Sequence, residues 1–353
     1  MAPEATSPRR LDDGTLVSIV IPCFNEEEVL SLLYTRLTAV AEQLGARYEV
    51  VLIDDGSTDR TWELLAGFHH RDPRWKLLRL ARNFGHQVAL WAGLKHATGD
   101  VIAVLDADLQ DPPEILPQFL AQWVAGYDVI YAIRQKRKEG PFKRLAYYAY
   151  YRILAFLSEI EIPLDAGDFG VIDRRVLAAM TATHEPGPFI RGLRAWVGFR
   201  QIGLAYEREQ RAAGQAKYTF RKLVELALNG ILSFSTRPLR LATYLGLIVS
   251  ATAFAGAVFT FLQRIFAKQF AHIGLEPVPG FATIVIAILF LGGVQLLCLG
   301  ILGEYVGRIY QNVLGRPLPT ISARCGLSAH DGTSRATARV APAGTNTTGN
   351  AVE

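Results

Sequence analysis

Apolar positions along the chain follow two regimes that change near Arg237. Before that point, short continuous apolar runs alternate with stretches of helical spacing. The runs are Leu16–Ile21, Tyr48–Ile53, Trp75–Leu80, Val101–Leu105 and Asp128–Ile133. All five read as strands, and Val101–Leu105, five apolar residues with β-branched side chains at three positions, reads as one buried on both faces. Between them, Glu26 to Gln43 places Val29, Leu32, Leu33, Leu37 and Val40 on one helical face, and helices are also predicted up to His69, over Gln87–His96 and over Glu114–Ala125. The alternation of strand and helix predicts an α/β domain with a mainly parallel sheet and helices on both faces. Further along, Asp165–Gly170 reads as a loop, and Val171–Met180 and Phe189–Trp196 as short helices. Asn25 with Glu28 three residues on forms a variant capping box; the same residues read equally well as contacts to a bound donor.

Beyond Arg237 come two uncharged apolar runs, Leu241–Leu262 and Phe281–Gly303. Each meets the roughly 20 residues that span a bilayer. Arg237 and Arg240 precede the first and Arg308 and Arg316 follow the second, while Arg264 and Lys268, offset by Glu276, lie between. This bias places both termini and the α/β domain in the cytoplasm. Gln295 is expected to form an interhelical hydrogen bond, and Gly292, Gly293 and Gly300 to let helices approach closely, so a homo-oligomer is expected. Two amphipathic, basic and aromatic segments, near 142–160 and 217–234, suit the membrane interface. The resulting layout is a polar, disordered 1–15; a catalytic domain over 16–236; a two-helix transmembrane region over 237–308; and a cytoplasmic, largely disordered tail over 309–353, low in apolar content from Ser322 onward.

Composition sharpens this only in part. The chain has 353 residues, is 50% hydrophobic and carries a net charge of +4. The basic residues favour an anionic membrane surface or phosphorylated ligands, and no nucleic-acid role is expected. Cys23, Cys298 and Cys325 are scattered, which suggests neither disulfides nor zinc. Met1 to Thr15 has no apolar core, so no signal peptide is expected.

Chemistry concentrates at strand ends. Val101–Leu105 stops at Asp106 and Asp108, whose i, i+2 spacing puts both carboxylates on one side of extended backbone. Tyr48–Ile53 likewise ends in Asp54 and Asp55. The carboxyl ends of strands are where open α/β sheets bind ligands. No Gly-x-Gly-x-x-Gly follows the first strand and no P-loop occurs, so dehydrogenase and P-loop readings lack their phosphate cradle. Acids repel a diphosphate unless a cation stands between them, which calls for Mg²⁺ or Mn²⁺.

Seven stretches taken together carry a family resemblance. They are Val20-Ile-Pro-Cys-Phe-Asn-Glu26, Ile53-Asp-Asp-Gly-Ser57, Arg82-Asn-Phe-Gly85, Asp106-Ala-Asp-Leu-Gln-Asp-Pro-Pro113, Gly167-Asp-Phe169, Gly214-Gln-Ala-Lys-Tyr218 and Leu302-Gly-Glu-Tyr-Val-Gly-Arg308. With them the chain resembles the polyisoprenyl-phosphate glycosyltransferases, inverting GT-A-fold relatives of dolichyl-phosphate mannose synthase. Within that group it looks most like the bacterial hexose transferases that make undecaprenyl-phosphate-glucose for O-antigen modification.

The resemblance implies transfer of a hexose from a nucleotide sugar, UDP-glucose first, to a polyprenyl phosphate at the inner membrane. It implies that Pro22, Glu26 and Asp54 line the base and ribose, with Asn25, Asp55 and Asn83 in the same nucleotide-sugar site. Asp106 and Asp108 would hold the metal, with Gln110 nearby, and Asp168 matches the position of the family's catalytic acid. Arg134, Arg211 and Lys217 would meet phosphate. Ala216 stands where the family usually has a hydroxyl. A separate small flippase is implied as partner. N-acetylglucosamine, galactose or an aminoarabinose derivative are alternative sugars. A processive polysaccharide synthase would carry a Gln-x-x-Arg-Trp motif, absent at Arg194-Ala-Trp196. An inactive scaffold is disfavoured by the intact Asp106, Asp108 and Asp168.

Overall fold

The computed structural model describes residues 9–135, 166–183, 189–207, 235–266, 280–314 and 319–327. Arg211, Lys217 and both expected interfacial segments lie outside these residues. The described residues divide into two units, one of 9–135, 166–183, 189–207 and 319–327 and the other of 235–266 and 280–314.

The first unit is built on one eight-stranded sheet. Its strands are β1 (Leu16–Cys23), β2 (Arg47–Asp54), β3 (Trp75–Leu80), β4 (Val101–Val104), β5 (Val129–Gln135), β6 (Ala166–Asp173), β7 (Gln201–Glu207) and β8 (Ile321–Cys325), in the order β7-β5-β6-β4-β1-β2-β3-β8. The pairs β1–β2, β1–β4, β2–β3 and β5–β7 are parallel. β6 runs antiparallel between β4 and β5, and β8 runs antiparallel to β3. The helices are α1 (Leu30–Glu42), α2 (Thr61–Arg71), α3 (His86–His96), α4 (Leu116–Val124), α5 (Arg174–Thr181) and α6 (Ile190–Trp196).

Strand alternation divides the core between the two faces. Ile19, Ile21, Val50, Leu52 and Leu77 pack with Leu30, Leu33 and Leu37 of α1, Leu65 and Phe68 of α2, and Leu116 and Phe119 of α4. The opposite face carries Val20 and Ile53, against which α3 lies so closely that a Cβ on Gly93 would stand 2.5 Å from Val20 and 2.4 Å from Ile53 side-chain atoms. Burial on both faces is why the central strands are apolar along most of their length.

Several local expectations are corrected. Asp165–Gly170 was expected as a loop and Val171–Met180 as a helix; residues 166–173 are strand β6, and the helix begins at Arg174, where the Asp173 side chain accepts from Arg175 N at 2.9 Å. A run of Gly and Asp weakens the strand signal, but Gly170 is required there: a Cβ would meet Ile130 O at 2.3 Å. No side chain caps α1, which starts at Leu30. Asn25 instead takes φ 52° and ties two loops together, its N donating to Ser57 Oγ at 3.0 Å and its Oδ1 accepting from Thr58 N at 2.9 Å. The expected disorder of 1–15 does not extend to Arg9, which pairs with Asp128, reaches Asp173 at 3.2 Å and donates to Tyr127 O at 2.6 Å. The tail is ordered over β8, where Ala81 N donates to Thr320 O at 2.9 Å and Ser322 Oγ to Arg79 O at 3.1 Å. Backbone pairing needs no apolar composition, which is why composition misses this strand.

The second unit is a pair of helices, α7 (Arg237–Ile265) and α8 (Phe281–Val313). Arg237–Gln263 and Phe290–Val313 are long and apolar enough to cross a membrane, with mean hydropathies of 2.0 and 1.5. Tyr305 OH donates to Ser235 O at 2.7 Å. Gln295 lines the cleft between the helices without an interhelical hydrogen bond among the described residues. Gly292, Gly293 and Gly300 do not mark close approach within this pair, since a Cβ on each would meet nothing within 4 Å.

The Gly170 contact makes a direct prediction. Gly170→Ala forces β5 away from β6 and should destabilise the protein by about 1–3 kcal/mol, the usual range for overpacking. The melting temperature of the detergent-solubilised protein measures it.

Candidate active site

The carboxyl ends of β1, β2 and β4 meet at one edge of the sheet. Cys23 pairs with Asp54, and Val20 with Val104, so the residues following each strand emerge side by side. The antiparallel β6 brings its beginning, rather than its end, to this edge. Val104 pairs with Gly170. Two residues outward along each strand, Asp106 and Asp168 therefore face each other across the sheet.

The turn after β4 is tight. Leu109 is buried with φ 57°, and Gln110 N donates to Asp108 Oδ1 at 3.2 Å. A branched-chain residue in the left-handed region marks local backbone strain. Asp111, two residues past Leu109, accepts from Tyr206 OH of β7. This bond and the Phe119–Phe169–Tyr206 ring cluster fix the turn against its neighbours.

Asp54 and Asp55 are buried and occupied within the protein. Asp54 Oδ1 accepts from Ser57 N at 2.9 Å, and Oδ2 lies 3.1 Å from Arg79 Nε as an ion pair without hydrogen-bond alignment. Asp55 takes both backbone N–H groups of Phe84 and Gly85, at 2.8 and 2.9 Å. Burial pushes the Asp55 carboxyl up, against the pull of those two N–H groups. Gly56, at φ 69°, lets the 82–85 loop approach, since a Cβ would lie 2.5 Å from the Arg82 carbonyl carbon. Pro22 is buried at the end of β1, while Asn25 and Asn83 are exposed. Arg134 lies in β5 opposite Tyr206.

The expected catalytic residue, Asp168, is surrounded by residues the sequence did not single out. Arg191 of α6 donates Nε to Oδ1 at 2.8 Å and Nη2 to Oδ2 at 2.9 Å. Gln87 Nε2 donates to Oδ2 at 3.0 Å, and Gln87 Oε1 accepts from Ile190 N at 3.1 Å. His86 Nε2 stands between the two acids, 3.4 Å from Asp168 Oδ2 and 3.8 Å from Asp106 Oδ1. Arg194 is buried, its guanidinium over the Tyr131 ring and its Nη2 3.3 Å from Gly167 O. His86 follows directly on Arg82-Asn-Phe-Gly85 at a strand exit, a position the sequence could have flagged. Arg191 has no such signal; only the folding of α6 onto β6 brings it here.

Charge in this cluster is unevenly compensated. Burial and the neighbouring Asp111, Asp168 and Asp108 push Asp106 up to about 6, against His86. Burial would also raise Asp168, but Arg191 and His86 outweigh it and hold its carboxyl well below the usual range. Burial opposes a charge on His86, yet Asp168 and Asp106 raise it to about 9. Burial brings Arg194 down to about 10.

A GT-A glycosyltransferase is what this fold and site define: a mainly parallel sheet, acidic strand ends and a D-x-D turn. Residues 18–180 match the family Glycosyl transferase family 2, and residues 237–309 match the GtrB C-terminal hairpin. The chain is 41% identical over 311 residues to the uncharacterized glycosyltransferase YkcC of Bacillus subtilis, covering 88% of this chain and 94% of that one. It is 38% identical over 309 residues to the bactoprenol glucosyl transferase of Shigella phage SfX, covering 87% and 99%. It is 39% identical over 302 residues to the prophage bactoprenol glucosyl transferase homolog of Escherichia coli, covering 85% and 96%. Among solved structures, the glucosyl-3-phosphoglycerate synthase of Mycobacterium tuberculosis superposes with a TM-score of 0.46 at 18% identity, covering 62% of this chain and 78% of that one. On the strength of its sequence relatives, the chain belongs to glycosyltransferase family 2.

The Asp106 environment has a consequence for stability. Its folded pKa, about 6, lies above the unfolded value of roughly 3.9. Between those values the folded state holds a proton that the unfolded state has released, so this group costs stability as pH rises through the window. Asp106→Asn should stabilise the metal-free protein by about 1–3 kcal/mol at pH 7.5 and have little effect near pH 4. Unfolding in chelator at the two pH values checks it.

Proposed function

We propose that the protein transfers a hexose, with inversion, from a nucleotide sugar to a polyprenyl phosphate at the cytoplasmic face of the inner membrane. UDP-glucose is the donor and undecaprenyl phosphate the acceptor of first choice, giving a lipid-linked sugar for cell-envelope glycan modification. One observation carries the reading: the acidic sheet edge of a family 2 transferase is joined, in the same chain, to a hairpin of membrane-spanning length. A soluble sugar acceptor would not need the hairpin, whereas a polyprenyl phosphate is found only where such helices sit. The names of the Shigella phage and Escherichia coli relatives support the same acceptor. The pairing of β8 with β3 supports the topology, because residues on either side of the hairpin then share one sheet and one side of the membrane. Export of the product falls to a separate membrane protein.

The residues at the sheet edge fit a divalent cation. Asp106 Oδ1 is buried without a hydrogen-bond partner, in a cluster whose acids repel one another. Among the described residues, no three His, Cys, Asp or Glu side chains form a complete ligand set. Mg²⁺ or Mn²⁺ would bind through one or two carboxylates plus substrate phosphates. Asp106 and Asp108, with Gln110 nearby, would hold the ion, which when bound supplies positive charge against the leaving diphosphate.

The acceptor is a phosphate monoester with a second pKa of about 6, so at neutral pH it is already mostly dianionic. One of its oxygens forms the new bond to the anomeric carbon while the bond to the diphosphate breaks, its electron pair leaving with the diphosphate. No proton need be removed from the dianion. The protein's part is to bring both substrates to the sheet edge and align them.

Asp106→Asn or Asp108→Asn should lower transfer of radiolabelled sugar to undecaprenyl phosphate in membranes by a factor on the order of 10² or more, the scale of losing transition-state charge stabilisation. Chelator should reproduce the loss in the unsubstituted enzyme. Full activity in chelator would remove the metal from the mechanism. A screen of nucleotide sugars in the same assay identifies the donor, and no transfer to undecaprenyl phosphate with any of them would overturn the acceptor assignment.

A further inference from the structure

Asp168 stands where a base for the reaction would be sought, yet it is closed to substrate. Its side chain is 3% exposed. Oδ1 is taken by Arg191 Nε, and Oδ2 by Arg191 Nη2 and Gln87 Nε2, with His86 Nε2 also alongside. A general base must come within hydrogen-bond reach of the proton it removes. The cations around Asp168 are more open: 28% of the Arg191 side chain and 36% of the His86 side chain are exposed. His86 also borders Asp106, so these cations lie beside the acidic turn.

We propose that Asp168 is a positioning residue that locks the Arg191 guanidinium, with His86 beside it, as a grip for phosphate oxygens at the Asp106 edge. This rests on the sugar-transfer reading above and names how that site holds phosphate.

The geometry explains the division of labour. A guanidinium is planar, and a bidentate carboxylate on one edge fixes the whole plane. Gln87 adds a second constraint, because it joins the Asp168 carboxylate to the Ile190 N–H at the start of α6, one residue before Arg191. Side chain and backbone of Arg191 are thus held from the same two points on α3 and β6. A cation fixed before substrate arrives loses little freedom on gripping an oxyanion, which is why such preorganisation is effective in catalysis. The phosphate oxygens can belong to the lipid acceptor or to the donor diphosphate; both present the same chemistry.

The test is a double-mutant cycle on the full-length enzyme, using undecaprenyl phosphate and the nucleotide sugar found active. Arg191→Lys keeps the charge, so Asp168 is not left stranded, but loses the fork. It should lower kcat/KM by about 10-fold or more, as expected for loss of a charge-assisted bidentate contact, with a rise in one substrate's KM. Asp168→Asn should produce a similar loss. The double variant should be no worse than the weaker single variant by more than about threefold, because both substitutions break one unit. A rise confined to the lipid KM assigns the grip to the acceptor, and one confined to the nucleotide-sugar KM assigns it to the donor. Melting temperatures of all four proteins separate this from unfolding. Multiplicative losses in the cycle, or an Arg191→Lys enzyme with unchanged kinetics, would overturn the proposal. Either result with an active unsubstituted enzyme leaves the transfer reading intact, whereas an unsubstituted enzyme that never glycosylates undecaprenyl phosphate removes the reading itself.

Discussion

The constraint on which this structure depends is the crowding of carboxylates at one end of the sheet. Burial first, and then the neighbouring Asp111, Asp168 and Asp108, push the Asp106 carboxyl up to about 6. Like charges in a partly buried edge are costly, and proteins keep such clusters where a ligand or ion relieves them. Here the relief is divided. Arg191 and His86 compensate Asp168 from within, whereas the one cation beside Asp106 among the described residues is His86, 3.8 Å away.

The rest of the catalytic unit serves to hold that edge. α3 lies against Val20 and Ile53 with Gly93 at the contact, and its first residues, His86 and Gln87, reach the acids. Asp54 and Asp55 are spent on fixing the loops at 57 and 84–85. Tyr206 holds Asp111 from β7. Away from the edge, Glu49 ties Ser18, Lys76 and Thr98 together; burial would raise its carboxyl, but those partners keep it low. That network secures the opposite end of β1, β2 and β3.

β8 connects the two halves of the chain in sequence terms. The strand follows the helical hairpin and closes the β3 edge of the sheet. An unpaired sheet edge is an open template for pairing with other chains, and β8 covers the β3 edge. The same pairing fixes where the chain must return after its apolar helices.

By itself the sequence determined the alternation of strands and helices, the two long apolar helices and the acidic strand ends, because each is a local pattern. A strand buried on both faces is apolar along most of its length, and a helix with a long apolar run stands out as a single unbroken pattern. Asp106 and Asp108 were legible for the same reason, since they interrupt an apolar run. What only the tertiary structure decided were the antiparallel insertion of β6, the β8 strand and the partners of Asp168. β6 contains glycines and acids that weaken any strand pattern, and its placement is set by pairing with β4 and β5. Arg191 lies 23 residues from Asp168 and Gln87 lies 81 residues away. Neither spacing is a motif; the contacts exist because an antiparallel strand returns Asp168 to the edge where α3 begins and α6 packs.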